Sequence, residues 1–168
     1  MRKMVIAFLG IMLTAGYAAA EGGDIMELKS PEFKNNEFIP KKFTCHGENI
    51  NPELTVEGIP EPARSLALIV DDPDAPRGTW IHWAMFNIPT DISKIEEDSA
   101  PGKQGINDSG RIGYDGPCPP SGTHRYIFKI YALDTEFNLK EGINKAALEK
   151  AMEGHILASA ELTGLFKK

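Results

Sequence analysis

The stretch Leu66-Ala67-Leu68-Ile69-Val70 is apolar at every position. A strand that is apolar on both sides is covered on both sides, so this run predicts a buried central strand beginning at Ser65. Other runs rich in β-branched and aromatic residues also predict strands, and closely spaced Gly and Pro residues separate them. They are residues 38–44, 54–56, 81–88 and 126–133, with a more loosely alternating run at 156–166. Many short strands joined by turns favour a mainly β fold, an antiparallel β-sandwich, over βαβ units.

One peripheral α-helix is predicted near the C-terminus. Asn144 is a suitable N-cap for residues 145–153, and Gly154 is a typical residue for ending a helix. The small apolar stripe of this segment predicts packing onto the core. Residues 91–113 are polar and interrupted by Gly, so we expect a long loop that helps to shape a site.

The first twenty residues differ in composition from the rest of the chain. Arg2 and Lys3 precede an apolar run at residues 4–13, and the segment ends in Ala18-Ala19-Ala20. This pattern predicts a secretory signal peptide over residues 1–20, cleaved before Glu21, followed by a single domain over residues 21–168. An uncleaved N-terminal anchor is the alternative. With cleavage, the protein is expected to be periplasmic or secreted, with no stable membrane anchor.

Removal of the signal peptide makes the domain more acidic. It takes away two of the 18 basic residues and none of the 24 acidic ones, so the net charge changes from −6 to −8. Nucleic-acid binding depends on clustered Lys and Arg, and this balance therefore argues against a nucleic-acid partner.

Export also affects the interpretation of Cys45 and Cys118. Two cysteines in an oxidising compartment usually pair, which predicts a disulfide. A pair of metal ligands and a catalytic thiol are the alternatives. Cys118 lies between Pro117 and Pro119, a stiff loop rather than a helix N-terminus that would lower its pKa. The disulfide is favoured.

Two polar clusters carry the residues most able to do chemistry. The first is 71–76, which follows the apolar strand and precedes Trp80-Ile81-His82-Trp83, and the second is 113–120, which precedes His124-Arg125-Tyr126. Strand alternation predicts that His82 faces away from Ile81 and Trp83, and that Tyr126 faces the same way as His124.

These clusters predict a small anion pocket with an aromatic wall. The two histidines could meet across paired strands, and a neighbouring Asp would fix the imidazole tautomer and raise its pKa. Backbone N–H groups near Gly116 could join them, because glycine lets a ligand approach the main chain. Structural roles remain as alternatives: a core histidine, Asp71 as a solvated turn residue, and Arg125 as an ion-pair partner.

No sequence motif indicates an enzyme. The chain lacks a Gly-x-Ser-x-Gly elbow, a Gly-rich phosphate loop and a His-Glu-x-x-His zinc helix. His82, His124 and the aspartates match no metal-site spacing. We therefore expect no catalytic residues, no metal and no cofactor.

The same motifs resemble the phosphatidylethanolamine-binding protein family, also called the Raf kinase inhibitor protein family. The resemblance lies in Asp72-Pro73-Asp74-Ala75-Pro76, the His82 segment, and Gly116 to Pro120 with His124-Arg125-Tyr126, and it extends over residues 26–166. Residues 43–45 and 49–52 are most similar to the bacterial branch. The resemblance implies a sandwich of a large and a small sheet, with a pocket at one end that binds phosphate or phosphorylated head groups. The implied ligand-binding residues are Asp72, Asp74, Pro76, His82, Gly116, His124 and Tyr126.

The sequence therefore supports three hypotheses about function. The leading hypothesis is an exported, non-catalytic and regulatory domain that binds a small phosphate-like anion. The first alternative is a protein-interaction or protease-inhibitor module in which the pocket is secondary. The weaker alternative is a metal-assisted hydrolase that uses His82 and the aspartates.

Overall fold

The computed structural model describes residues 25–168, so the predicted signal peptide lies outside the described residues. Within this range the chain is mainly β with a single α-helix, as predicted. The elements in chain order are β1 (Glu27–Lys29), β2 (Glu37–Phe38), β3 (Leu54–Glu57), β4 (Ser65–Asp72), β5 (Trp80–Ile88), β6 (Lys94–Ile95), β7 (Lys103–Gln104), β8 (Thr123–Leu133), α1 (Lys145–Met152) and β9 (Ile156–Lys167).

The strands form a small and a large sheet. The small sheet has the order β1-β3-β6, and the large sheet has the order β2-β9-β8-β4-β5-β7. Neighbouring strands are antiparallel except β2 and β9, which run parallel over a short register. The predicted sandwich is therefore confirmed.

Strand β4 lies at the centre of the large sheet, and all eight of its residues are buried. Leu66, Leu68 and Val70 face the core shared with the small sheet. Ala67 and Ile69 face a second core, which α1 covers with Leu148 and Met152. The apolar run in β4 thus reflects coverage on both faces, as its composition predicted.

The predicted helix is confirmed with a small change at its end. The Asn144 side chain accepts a hydrogen bond from the Ala147 N–H at 2.9 Å, which satisfies an otherwise unpaired donor of the first turn. The helix ends at Met152, one residue before the predicted end. No helix within residues 25–168 is both long and apolar enough to cross a membrane.

Two sequence predictions of local structure were wrong. The predicted strand at 38–44 is a strand only at Phe38, and Lys41–Phe43 form a 3-10 turn in which the Phe43 N–H donates to the Pro40 carbonyl at 3.1 Å. The turn places Phe43, which is fully buried, in the core, a tertiary contact that outweighs strand propensity. The predicted loop at 91–113 contains β6 and β7, which are too short to produce a periodic pattern.

Candidate functional site

The predicted site residues come from the end of β4, the start of β5 and the start of β8. In the large sheet β4 lies between β8 and β5. His82 on β5 and His124 on β8 are therefore not on paired strands, contrary to the expectation that they meet across one strand pair. Asp72, at the end of the intervening strand β4, lies between the two strands that carry them.

A β-bulge changes the direction of His82. Val70 pairs with Trp83 and Asp71 pairs with Ile81, so His82 is an extra residue without a partner on β4. The His82 ring packs edge-on against Tyr126, with 5.1 Å between the ring centroids. Tyr126 and Trp83 belong to the same core, so His82 and Trp83 face one side of the sheet, contrary to the predicted alternation. Bulges commonly redirect a side chain in this way.

His124 and Asp72 form a buried hydrogen-bonded pair. The distance from His124 Nδ1 to Asp72 Oδ2 is 2.7 Å, and the two residues are 7% and 3% exposed. The other carboxylate oxygen, Oδ1, accepts from the Asp74 N–H at 2.8 Å. Asp72 therefore holds the proton of His124 on Nδ1 and leaves Nε2 for another partner.

His82 has a different partner from the aspartate predicted for it. Its Nδ1 donates to the backbone carbonyl of Asp115 at 2.6 Å, because a carbonyl oxygen can only accept. Burial lowers the pKa of His82 below its ordinary value of 6.5, and the hydrogen bond to Asp115 only partly offsets this effect. The charges of Asp72 and Asp115 act to raise the pKa of His82, but burial outweighs them, so the expected net rise does not occur. The ring is neutral near pH 7 and offers Nε2 as an acceptor.

Asp74 and Arg125 make a bidentate ion pair. Arg125 Nε and Nη2 donate to Asp74 at 2.9 and 2.7 Å, and the Arg125 N–H adds a third bond at 3.0 Å. The hydrogen bonds from Arg125 lower the pKa of Asp74 to about 2. Asp74 thus fixes the start of β8 to the segment after β4, and Arg125 is the ion-pair partner that its position suggested.

A cavity of about 480 Å³ opens at this end of the sandwich. Four of the seven predicted residues line it: Asp72, Pro76, His82 and Gly116. The other three contact residues of the wall, since Asp74 and His124 bind Asp72 and the Tyr126 ring packs on His82. Tyr126 is fully buried, and its hydroxyl has no hydrogen-bond partner among residues 25–168. Burial, followed by the charge of Asp72, raises the pKa of that hydroxyl.

The wall also contains Trp80 and Asp115 from the two predicted clusters, and three residues that sequence reasoning did not single out: Arg77, Ser109 and Arg111. Asp115 accepts hydrogen bonds from Ser109 and Arg111, which compensate its charge. Arg77 is exposed and makes no hydrogen bond or ion pair with any residue in 25–168. The only sequence signal for Ser109 and Arg111 was their place in the polar stretch 91–113.

Gly116 is required for a reason other than close approach of a ligand. A Cβ at this position would lie 2.4 Å from the Phe43 carbonyl oxygen and 2.8 Å from Asn49 Oδ1. The Gly116 N–H already donates to Asn49 Oδ1 at 2.8 Å. The Gly116 N–H is therefore not one of the nearby backbone donors that a ligand could use. The predicted Cys45–Cys118 disulfide is formed beside it, and both cysteines line the cavity.

Asp71 belongs to the opposite face of the sheet. It is 1% exposed and binds Lys129 Nζ through both oxygens, at 3.0 and 2.8 Å. The alternative that Asp71 is a solvated turn residue was wrong, because β4 extends through Asp72 and buries both aspartates.

Comparison with known proteins agrees with this architecture. The family model for phosphatidylethanolamine-binding protein matches residues 29–167. A UPF0098 protein of Methanothermobacter thermautotrophicus is 50% identical over 150 residues, which cover 85% of this chain and 99% of the relative. A crystal structure of a putative phosphatidylethanolamine-binding protein homologue from Chlamydia trachomatis has a TM-score of 0.84 and 44% identity, covering 86% of this chain and 98% of its own.

A second solved structure extends the comparison. Escherichia coli YbcL, described as a new member of the mammalian family, has a TM-score of 0.80 and 31% identity over 86% of this chain and 99% of its own. The family match includes strands of both sheets and every residue of the cavity described above. The chain belongs to the phosphatidylethanolamine-binding protein family.

Proposed function

We propose that the protein is a periplasmic or secreted, non-catalytic domain whose cavity binds a small anion, either phosphate or a phosphorylated head group. The observation that carries the proposal is the charge arrangement of the wall. Asp72 and Asp115 are already bound by protein donors, whereas Arg77 has no partner within residues 25–168. An incoming anion would therefore meet an unpaired guanidinium, and carboxylates that already accept hydrogen bonds from the protein.

The geometry of the two histidines supports a rigid binding site. Both rings are held at Nδ1, one by a carboxylate and one by a carbonyl, so their orientation is set before a ligand arrives. Preorganised polar groups bind a ligand with less loss of conformational freedom. The family description names phosphatidylethanolamine, and its head group carries a phosphate of the chemistry that this cavity suits.

The hydrogen bonds of the wall also support a non-catalytic role. Ser109 donates its hydroxyl to the Asp115 carboxylate, which Arg111 also binds, rather than to a histidine, the base that usually activates a serine. Asp74 is held by Arg125, and Asp115 is held by Arg111. These two carboxylates are therefore poorly available as ligands for the metal centre of a hydrolase.

Titration calorimetry with inorganic phosphate and with O-phosphoethanolamine tests the proposal. We expect saturable binding, weaker in Arg77→Gln and abolished in His124→Ala. Lys29→Gln is the matched control, since Lys29 lies on β1 in an exposed ion pair. Absence of binding, or equal binding by all variants, would contradict the proposal. If pocket variants instead captured a protein partner as well as wild type, the interaction-module alternative would be favoured.

The location is tested separately. We expect the protein from a periplasmic or culture-medium fraction to begin at Glu21 on N-terminal sequencing. Recovery of the intact chain only in the cytoplasmic fraction would contradict export.

A further inference from the structure

We propose a second, redox-dependent site at the rim of the cavity. When the Cys45–Cys118 disulfide is reduced, the two thiolates and the His46 imidazole bind one zinc ion or a similar soft divalent cation. The site uses none of the residues assigned to anion binding.

The three ligand atoms are already close together. The two sulfurs and a ring nitrogen of His46 all lie within 4.8 Å of one another. His46 and Cys118 are exposed and Cys45 is half-buried, so an ion can reach them. Tetrahedral zinc with Zn–S distances of ~2.3 Å requires sulfurs about 3.8 Å apart. The Cα atoms are 5.5 Å apart, and rotation of the two side chains therefore opens enough space.

The two loops that carry the ligands stay together without the disulfide. The Cys45 N–H donates to the Pro117 carbonyl at 3.2 Å, and the Gly116 N–H donates to Asn49 Oδ1 at 2.8 Å. The Tyr114 hydroxyl adds a third bond, to the Phe43 carbonyl at 2.8 Å. These bonds join the 43–49 segment to the 114–117 segment, so reduction should leave two adjacent thiols rather than two separated loops.

The chemistry requires a reductant, for which we name a dithiol. The dithiol transfers two electrons and two protons to the disulfide and itself becomes a disulfide, while Cys45 and Cys118 become thiols. Binding of the divalent cation then displaces one proton from each thiol, and neutral His46 contributes a nitrogen lone pair. Two thiolates and an imidazole favour zinc over magnesium or calcium, which prefer oxygen ligands. The fourth position is left to water.

Metal titration of the purified protein in two redox states tests the site. The protein is reduced with a phosphine under nitrogen, and zinc binding is measured by competition with a chromophoric chelator. We expect one equivalent of zinc in the reduced protein and none in the oxidised protein. Cobalt substitution should show thiolate-to-metal charge transfer and a tetrahedral spectrum. His46→Ala should weaken binding by at least about tenfold, and Cys118→Ser should abolish the thiolate signal of a two-sulfur site.

Matched controls separate this site from other effects. His155→Ala removes an exposed histidine held by Asp134 and should not change zinc affinity. His124→Ala should also bind zinc normally, whatever its effect on phosphate, so the two proposals can fail independently. Near-ultraviolet circular dichroism should show that the reduced, metal-free protein keeps its fold. Loss of that fold, unchanged zinc affinity in His46→Ala, or equal binding by the oxidised protein would overturn the proposal.

Discussion

Asp71 and Asp72 are adjacent in sequence, and their carboxylates lie on opposite faces of the large sheet. Asp71 binds Lys129 Nζ at 2.8 Å on the face that α1 covers, whereas Asp72 binds His124 Nδ1 at 2.7 Å at the cavity. The register between β4 and β8 continues without interruption to Asp71, so the alternation of side chains separates the two aspartates. Each can therefore be changed with little effect on the surroundings of the other.

Asp72→Asn should weaken both the fold and the cavity. Asp72 uses its two oxygens for two donors, whereas an amide has one acceptor oxygen and turns its NH₂ toward a donor. We expect a loss of about 2 kcal/mol in the free energy of unfolding, measured by urea denaturation. Phosphate affinity should also fall. Asp91→Asn, at an exposed position, is the control and should leave both quantities nearly unchanged.

Lys129→Met should be more damaging than removal of a surface lysine. It leaves the buried Asp71 carboxylate with Lys145 Nζ, 3.8 Å away, as its remaining cation. Breaking a buried pair in this way costs about 3 kcal/mol of unfolding free energy. Lys29→Met removes an exposed ion pair and should have almost no effect. Equal urea midpoints for the two variants would show that burial of Asp71 does not matter.

His82 should make stability depend on pH. Its pKa is lowered in the folded protein, so between that value and 6.5 the unfolded chain binds more protons. The contribution of His82 to the free energy of unfolding is fully present above pH 6.5. It is lost progressively as the pH falls toward the pKa of His82 in the folded protein. The free energy of unfolding, measured with urea at pH values from 5 to 7.5, should rise more steeply with pH in wild type than in His82→Gln. Parallel slopes would contradict the neutral assignment of the ring.

Phosphate binding should take up a proton. His82 Nε2 is an acceptor in the neutral ring, so an anion must bring a hydroxyl proton or bind with protonation of the ring. Affinity should therefore rise as pH falls from 8 to 6, by up to about tenfold per pH unit for one linked proton. Calorimetry in buffers of different ionisation enthalpy measures the number of protons. In His82→Gln this uptake should disappear.

The disulfide should contribute substantially to stability. It closes a loop with a sequence separation of 73 residues, for which chain entropy predicts roughly 4 kcal/mol. The Cys45→Ser/Cys118→Ser double variant should therefore unfold at lower urea than the oxidised protein. The urea midpoint of the double variant should equal that of reduced, metal-free wild type. A midpoint equal to that of the oxidised protein would contradict the stabilisation expected from loop closure.

Local patterns predicted most of the fold. The run at 66–70 and the Asn144 cap were interpreted correctly, because coverage of both faces and capping both leave a signal within a few residues. The segment 38–44 was interpreted wrongly, because the burial of Phe43 depends on residues far along the chain. That contact leaves no signal in the local composition.

The cavity was predicted less completely. Asp72 and His124 were both singled out from their motifs, but which aspartate binds which histidine was not predicted. The partner of His82 is a backbone carbonyl 33 residues away, and a carbonyl carries no residue-type signal. Similarly, the bulge that redirects His82 depends on the register between β4 and β5, which alternation within one strand does not reveal.

The placement of Asp71 and Asp72 constrains the length of β4 more tightly than its composition. Deletion of one residue at 66–70 would place Asp72 beside Lys129 and Asp71 in the core position of Val70, so that neither carboxylate would reach His124. Substitutions that keep the length leave this arrangement intact. In a library of variants, many apolar replacements at 66–70 should therefore fold, whereas insertions and deletions at these positions should not.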